Sequence, residues 1–172
     1  MGFLLIALMA HSPRGVEAIL LDLTAFSVSI ILILATLNSL HVRWSQALSI
    51  VEFKGLCHQH PLHAMVLIVS LFSIIGFPLT AGFIGKYSLF MATVDAHFWS
   101  FLPHMILASL ITLAALARLI FIMFQPAEFA DKKLGLSGFI LAGALALIIL
   151  GIFPEPLIFW IKAQSAHLAI LR

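Results

Sequence analysis

The sequence predicts an all-α protein, a polytopic transmembrane helical bundle that contains one discontinuous helix. Of the 172 residues, 63% are hydrophobic and only 9% are charged, whereas about a quarter of the residues of a typical soluble domain are charged. Several apolar runs are long enough to cross a hydrocarbon core of about 30 Å. The longest run, residues 62–94, is interrupted near its middle by glycines and a proline and carries a lysine. These observations indicate an integral membrane protein with a broken helix.

The composition also excludes several classes of function. The net charge of +2 is spread over loops and ends, so there is no basic run of the kind that binds nucleic acid. The chain contains no glycine-rich phosphate loop, no serine-histidine-aspartate arrangement and no haem attachment motif. His58, His60 and His63 lie near the single cysteine, Cys57, but their spacing matches no standard zinc pattern, and interfacial histidines are the simpler interpretation. We therefore predict no metal and no cofactor in this chain.

The N-terminal part predicts a partial helix followed by a full span. Residues 1–10 are apolar, but they reach only about half of the length needed to cross a bilayer. Residues 18–40 predict the first full span. Glu17 and Asp22 lie at its start, where carboxylates complement the helix dipole, so capping is the simpler interpretation. Asp22 lies a turn deeper and is the better candidate for a role in proton transfer. The polar residues 42–60 predict a surface connection.

Residues 62–94 cannot form a straight single span, because one helix of that length would extend about 50 Å. Two alternatives remain: two short spans in a tight hairpin, or one crossing broken over residues 76–82 into two half-helices. We favour the broken crossing, because discontinuous helices bring free backbone ends to the middle of the membrane, where transporters place ion sites. Proline lacks a backbone donor, and glycine has a high entropy cost in a helix. The residues predicted to make the break are Gly76, Pro78, Gly82 and Gly85.

Lys86 is the leading candidate for a functional residue. Irregular backbone at membrane depth is tolerated only where it is buried in protein or faces a hydrated cavity. A charged lysine there costs about 2.5 to 3.5 kcal/mol on insertion scales, and an intramembrane ionisable group is by default a sign of an ion or proton pathway. The alternative is that Lys86 snorkels to the surface or pairs with a fixed carboxylate.

The C-terminal part predicts two further spans, over residues 102–124 and 136–160, and an interfacial tail over residues 162–172. Arg118 lies about two turns from the end of the first of them, where it either snorkels to the interface or points inward toward a carboxylate or a proton path. We expect the tail to be amphipathic and to lie in the interface. Residues 1–172 are thus predicted to form a single transmembrane domain.

Four segments, in the same order along the chain, resemble one known family. They are residues 2–8 (GFLLIAL), residues 53–56 (FKGL) with Pro61, residues 73–86 (SIIGFPLTAGFIGK) and residues 150–157 (LGIFPEPL). The segment that ends in Lys86 is the most specific. The chain resembles the C-terminal half of subunit 2 of NADH:ubiquinone oxidoreductase, respiratory complex I, one of its antiporter-like subunits.

The resemblance implies a role in proton translocation. In that family the lysine that matches Lys86 lies on a discontinuous helix and serves in a proton half-channel coupled to NADH oxidation by ubiquinone. Arg118 also aligns with the family, but residues 113–117 lack the aromatic residues that precede the arginine there. The predicted proton pathway is therefore Lys86, with Arg118 and Asp22 as possible neighbours.

The resemblance also implies partners and a location. The chain would be a subunit of an oxidoreductase without a redox centre of its own, and FMN and iron–sulfur clusters would lie in partner subunits. The first half of the family sequence is absent, so we expect a split subunit whose N-terminal half is a separate polypeptide. The expected location is the mitochondrial inner membrane, in preference to a bacterial plasma membrane, with other membrane-arm subunits and lipids as partners.

Two alternatives from other classes remain. The chain could be a subunit of a multi-component cation/proton antiporter, whose related subunits share the broken helix and the lysine. It could also be a membrane scaffold in which Lys86 is dispensable. Sodium efflux without NADH-linked activity would favour the antiporter, whereas co-purification with flavin and iron–sulfur subunits would favour the oxidoreductase.

Overall fold

The structure, a computed structural model, describes residues 2–9, 13–41, 53–126, 138–153, 155–156 and 158–161. Regular structure in these residues is helical. The α-helices are α1 (Gly2–Met9), α2 (Pro13–His41), α3 (Leu56–Gln59), α4 (Pro61–Ile75), α5 (Ala81–Asp95), α6 (Leu102–Phe124) and α7 (Gly138–Ile152), and a short 3-10 turn, Trp99–Phe101, precedes α6.

Among the described residues, two helices are long and apolar enough to cross a membrane, Arg14–Leu40 and Trp99–Phe124, and Pro61–Ile75 and Ile140–Ile152 are shorter apolar helices. The bounds differ from the sequence prediction at two ends. The first span begins at Pro13, because proline is favourable in the first turn of a helix. α7 ends at Ile152, because Phe153 precedes a proline and such residues avoid helical backbone, and helical backbone resumes at residues 155–156 and 158–161. The predicted tail, residues 162–172, lies outside the described residues.

α4 and α5 run antiparallel to successive halves of α2. At the N-terminal end of α2, Arg14 Nη1 lies 2.7 Å from Asp95 Oδ2, near the end of α5. At its C-terminal end, Ser39 Oγ lies 3.3 Å from His63 Nε2, near the start of α4. Because α4 and α5 follow one another along a single neighbouring helix, they are arranged as one interrupted helix and not as a hairpin.

Three buried apolar clusters hold the helices together at successive levels of α2. The middle cluster joins α2, α4, α5 and α7 around Leu32, Val66 and Leu147. The second joins α1, the start of α2, the end of α5 and the start of α6, and contains Met105. The third joins the end of α2 to α3, α4 and Met123 near the end of α6. α6 therefore contributes to the clusters at its two ends, and its other large side chains are largely exposed.

The interruption between α4 and α5, residues 76–80, is built by one glycine in a left-handed conformation. Gly76 has φ 82° and ψ 43°, which glycine adopts without the steric penalty of a Cβ. Its N–H bonds to the carbonyls of Phe72 and Ser73, and the N–H of Phe77 bonds to Phe72 as well. This pattern is a Schellman motif, which ends a helix by satisfying its last carbonyls. Pro78 follows within the same turn.

Leu79 also has a positive φ, of 77°, although its side chain is 64% exposed. A β-branched residue is strongly disfavoured at such a φ, whereas glycine is not. We expect Leu79→Val to lower the melting temperature of the purified protein. Leu79→Gly is expected to change the free energy of unfolding by less than about 1 kcal/mol. Equal effects of the two variants would contradict the described backbone at this position.

Candidate functional site

The site is centred on the C-terminal end of α4, where a helix end lies inside the bundle. The last four carbonyls of an α-helix have no partner within the helix and must be satisfied in another way. The Schellman motif satisfies those of Phe72 and Ser73. The two that remain belong to Ile74 and Ile75, and they lie where the negative end of the helix dipole favours a cation.

Lys86 supplies the missing donors. Its Nζ donates to Ile74 O at 2.7 Å and to Ile75 O at 2.6 Å. The aliphatic part of the Lys86 side chain passes close over Gly76. A Cβ at Gly76 would lie only 2.7 Å from Lys86 Cδ, so this approach requires a glycine. The broken helix thus places the amino group of α5 on the free carbonyls of α4, and all four terminal carbonyls of α4 have donors.

Asp22 of α2 is the acidic neighbour of Lys86. The two side chains attract each other electrostatically. The described hydrogen bonds of Lys86, however, go to backbone carbonyls and not to the carboxylate of Asp22. The approach depends on Gly85, because a Cβ there would lie 2.6 Å from Asp22 Cα and 2.9 Å from its backbone nitrogen. The sequence prediction that Asp22 is a possible neighbour of Lys86 agrees with this placement, and its role in proton transfer stays a prediction.

Gly82 and Gly85 do not lie in the helix break, as the sequence had predicted, but in the first turns of α5. A Cβ at Gly82 would collide with the carbonyl oxygen of Ser73. Both glycines are therefore packing positions that let α5 approach α4 and α2 closely. The break itself is confined to residues 76–80, with Gly76 and Pro78 within it.

Arg118 is not brought to Lys86. Its side chain is exposed on α6, five residues before Met123, which belongs to the cluster at the C-terminal end of α2. The described partners of Lys86 are Ile74 O, Ile75 O and Asp22, and Arg118 is not among them. A role for Arg118 in the proton pathway stays a prediction that the described contacts do not support.

A small cavity opens at the end of the bundle nearest to Lys86. Its volume is about 220 Å³, and its lining includes Arg14, Glu17 and Asp95 at the ends of α2 and α5 and also Tyr87 and Ser88. Tyr87 and Ser88 follow Lys86 directly in the sequence, but adjacent residues of a helix point in different directions, so the cavity lies on another face of α5 from the lysine side chain. Charged groups at its rim make it accessible to water.

Several buried polar residues are not among the site residues that the sequence predicts. His63, Ser70 and Ser73 are buried on α4, and Ser29 and Thr36 are buried on α2. A signal was present, because Asp22, Ser29 and Thr36 recur every seven residues and therefore share a helix face.

The histidines near Cys57 do not form a metal site in the described part of the chain, where no group of three or more histidine, cysteine or acidic side chains is suitably placed. Burial raises the pKa of the Cys57 thiol above its ordinary value, and a neutral thiol is a poor metal ligand. His60 and His63 are instead buried among the helices, 2% and 1% exposed.

The fold and the site define a class of membrane protein, one in which a lysine caps an interrupted helix inside a helical bundle. The chain belongs to the family described as NADH:quinone oxidoreductase/Mrp antiporter, transmembrane, whose family model matches residues 1–112. It is thereby a multi-pass membrane protein.

Similar curated proteins are bacterial NADH-quinone oxidoreductase subunits N. The protein of Solibacter usitatus is 30% identical over 97% of this chain and 36% of its own length, and that of Ectopseudomonas mendocina is 33% identical over 91% of this chain and 34% of its own length. The chain thus spans about a third of the length of the curated relatives that it matches. One solved structure, the Mrp complex from Dietzia sp. DQ12-45-1b, has the same fold, with a TM-score of 0.80 and 17% identity over 96% of this chain and 40% of that one.

Proposed function

We propose that this chain forms part of a proton half-channel in the membrane arm of an NADH:quinone oxidoreductase, and that Lys86 is its proton carrier. The observation that carries the proposal is the pair of hydrogen bonds from Lys86 Nζ to the carbonyls of Ile74 and Ile75. Lys86 is a half-buried titratable amine on two fixed dipoles, with Asp22 as an acidic neighbour. The charge of such a group can be switched by changes in nearby charge.

The geometry lets Lys86 release a proton without losing its position. An ammonium has three N–H donors, and two of them are used on Ile74 O and Ile75 O. The third is left for water or for the carboxylate of Asp22. After the proton leaves, the neutral amine still has two N–H donors, so both carbonyls stay satisfied while its lone pair takes the place of the third donor. The lysine therefore cycles between two protonation states at one site.

The cavity that Arg14 and Asp95 help to line supports a route to water at one end of the bundle. It is lined by Tyr87 and Ser88, whose hydroxyls can hydrogen-bond to water. A proton released from Lys86 passes through internal water around α5 to these groups and then toward the end of the bundle. Asp22 stabilises the charged state of Lys86 before release.

The wider setting is also part of the proposal. The curated relatives are subunits of NADH-quinone oxidoreductases, which supports a place in the membrane arm of such a complex. Within it, FMN and iron–sulfur clusters lie in other subunits, and this chain contributes proton transfer without a redox centre. A separate polypeptide for the remaining length of the family sequence, and a mitochondrial inner membrane location, are further proposals, and the relatives named are bacterial.

A cation/proton antiporter subunit is the second candidate. The observation in its favour is the structural similarity to a chain of the Mrp complex of Dietzia, with a TM-score of 0.80. The oxidoreductase is preferred because the curated relatives that match nearly the whole chain are subunits N of that complex, at up to 33% identity.

The two candidates differ in what drives transport. The complex that contains this chain is purified by a tag on the chain and reconstituted into vesicles with a quinone. We expect NADH to acidify or alkalinise the vesicle lumen, as a pH-sensitive dye reports, without a requirement for Na⁺. A preparation that lacks flavin and exchanges Na⁺ for H⁺ in an imposed pH gradient would instead identify an antiporter.

A further inference from the structure

A row of buried polar side chains follows α4 from its N-terminal end to the helix break. His63, Ser70 and Ser73 are 1%, 0% and 2% exposed. With Val66 they occupy positions i, i+3, i+7 and i+10, the spacing of one helix face. Val66 packs in the cluster that also contains Leu32 of α2. This face of α4 is therefore directed toward α2.

A second polar row lies opposite on α2. Ser29 and Thr36 are both 0% exposed, and Ser39 Oγ lies 3.3 Å from Nε2 of His63. The hydroxyls of Ser29 and Thr36 donate to carbonyls one turn earlier in α2, each at 2.7 Å, and their oxygens keep lone pairs that can accept further hydrogen bonds. Because the helices are antiparallel, the two rows run side by side from His63 to the break.

Ser73 lies where the row on α4 reaches the break, and its hydroxyl is buried with no hydrogen-bond partner among the described residues. Buried hydroxyls are rarely left unpaired, and internal water commonly pairs with them. Ser73 Oγ lies 3.1 Å from the position that a Cβ of Gly82 would occupy. Gly82 and Lys86 are one turn apart on the same face of α5. An unused hydroxyl therefore lies between the polar rows and the lysine.

His63 is the titratable group at the other end of the rows. The ring centroid of His60 is 5.7 Å from that of His63, in an edge-to-face arrangement. His58, two residues before His60, is exposed. Among the described residues, His60 is the titratable side chain that acts electrostatically on His63, and α2 presents the hydroxyl of Ser39 to it. The three histidines thus lead from the surface into the interface of α2 and α4.

We propose that the interface of α2 and α4 conducts protons between His63 and Lys86, with internal water at Ser73 as the connecting group. This inference rests on the proposed function, and it extends the path of Lys86 away from the cavity at Arg14 and Asp95. Protonated His63 gives its proton to a neighbouring water. The excess proton passes along internal water held by the hydroxyls of Thr36, Ser70 and Ser29 to the water at Ser73, and that water gives it to the neutral amine of Lys86. His63 ends neutral and Lys86 ends as an ammonium, so the proton is conserved and no other reactant is consumed.

Ser73→Ala is the sharper of two tests, because it removes a hydroxyl that has no partner and is expected to leave folding intact. The intact complex is reconstituted into vesicles, and the initial rate of proton movement driven by NADH oxidation is measured. We expect Ser73→Ala to lower the initial rate of proton movement by about fivefold, the change that corresponds to one lost neutral hydrogen bond. The matched control is Ser109→Ala, because Ser109 Oγ on α6 is also buried without a partner and lies outside the rows. Equal rates for wild type, Ser73→Ala and Ser109→Ala would overturn the inference.

His63→Gln provides the second test. Glutamine keeps a hydrogen-bonding group for Ser39 but cannot carry a proton, so a purely structural histidine would be replaced with little loss of proton movement. We expect a loss as large as for Ser73→Ala, whereas His104→Gln, which changes an exposed histidine bonded to Ser100 O, leaves the rate unchanged. If Lys86→Met stops proton movement and neither Ser73→Ala nor His63→Gln lowers it, the proposed path from His63 is wrong, whereas the proposed function of Lys86 stands. If Lys86→Met has no effect on proton movement, both the proposed path and the proposed function are wrong.

Discussion

Lys86→Met is expected to abolish the proton movement that this chain contributes, measured as protons moved per NADH oxidised in vesicles that contain the assembled complex. Methionine has a similar length but cannot donate to Ile74 O and Ile75 O, which lie 2.7 and 2.6 Å from Nζ, and it cannot carry a proton. Each buried carbonyl left without a donor also costs about 1 to 3 kcal/mol. A lower yield of the assembled complex is therefore expected as well.

Lys86→Arg separates these two effects. Arginine has donors for both carbonyls but stays protonated at all accessible pH values. We expect this variant to assemble better than Lys86→Met and to be equally inactive in proton movement. Lys54→Met is the control, since Lys54 is exposed before α3 and outside the site. Proton movement by Lys86→Arg at the wild-type rate would show that titration of Lys86 is not required.

Gly82→Ala is expected to destabilise the protein strongly. A Cβ at this position would collide with the carbonyl oxygen of Ser73, which is backbone in the last turn of α4 and cannot rotate away as a flexible side chain can. Overpacking of this kind costs about 1 to 3 kcal/mol or more. The expected result is a lower melting temperature of the purified protein in detergent, together with a smaller amount of assembled protein.

The matched control is Gly138→Ala, because a Cβ at Gly138 would meet nothing within 4 Å. Alanine has the higher helix propensity, so this variant is expected to be as stable as wild type or slightly more stable. Similar melting temperatures for Gly82→Ala and Gly138→Ala would contradict the close approach of α5 to α4.

Much of the fold follows from local patterns. The hydropathy of α2 and α6 and the glycine and proline of residues 76–80 are visible in the sequence, and so is the position of a lysine just after the break. The roles of Gly82 and Gly85 were assigned wrongly, because a glycine required for close packing and a glycine that ends a helix have the same composition signal. Only the contacts with Ser73 and Asp22 distinguish them.

The partners of Lys86 could not be predicted, because they are backbone carbonyls eleven and twelve residues away and any sequence provides carbonyls. The exposure of Arg118 depends on which face of α6 meets the bundle, and the sequence left that alternative open. The buried histidines were read as interfacial because their sequence neighbours are polar. His60 follows α3 directly and His63 lies in the first turn of α4, so their burial depends on packing against other helices that the sequence does not show.

The attachment of the interrupted helix to α2 limits how the site can move. Arg14–Asp95 at one end and Ser39–His63 at the other connect both half-helices to one uninterrupted helix, and these contacts oppose a change in the length of the gap between them. A change of state at Lys86 is therefore a matter of torsion angles and of water, and not of half-helices sliding apart. Two rigid reporters placed on α4 and α5 should keep the same separation when the membrane arm is driven and when it is idle.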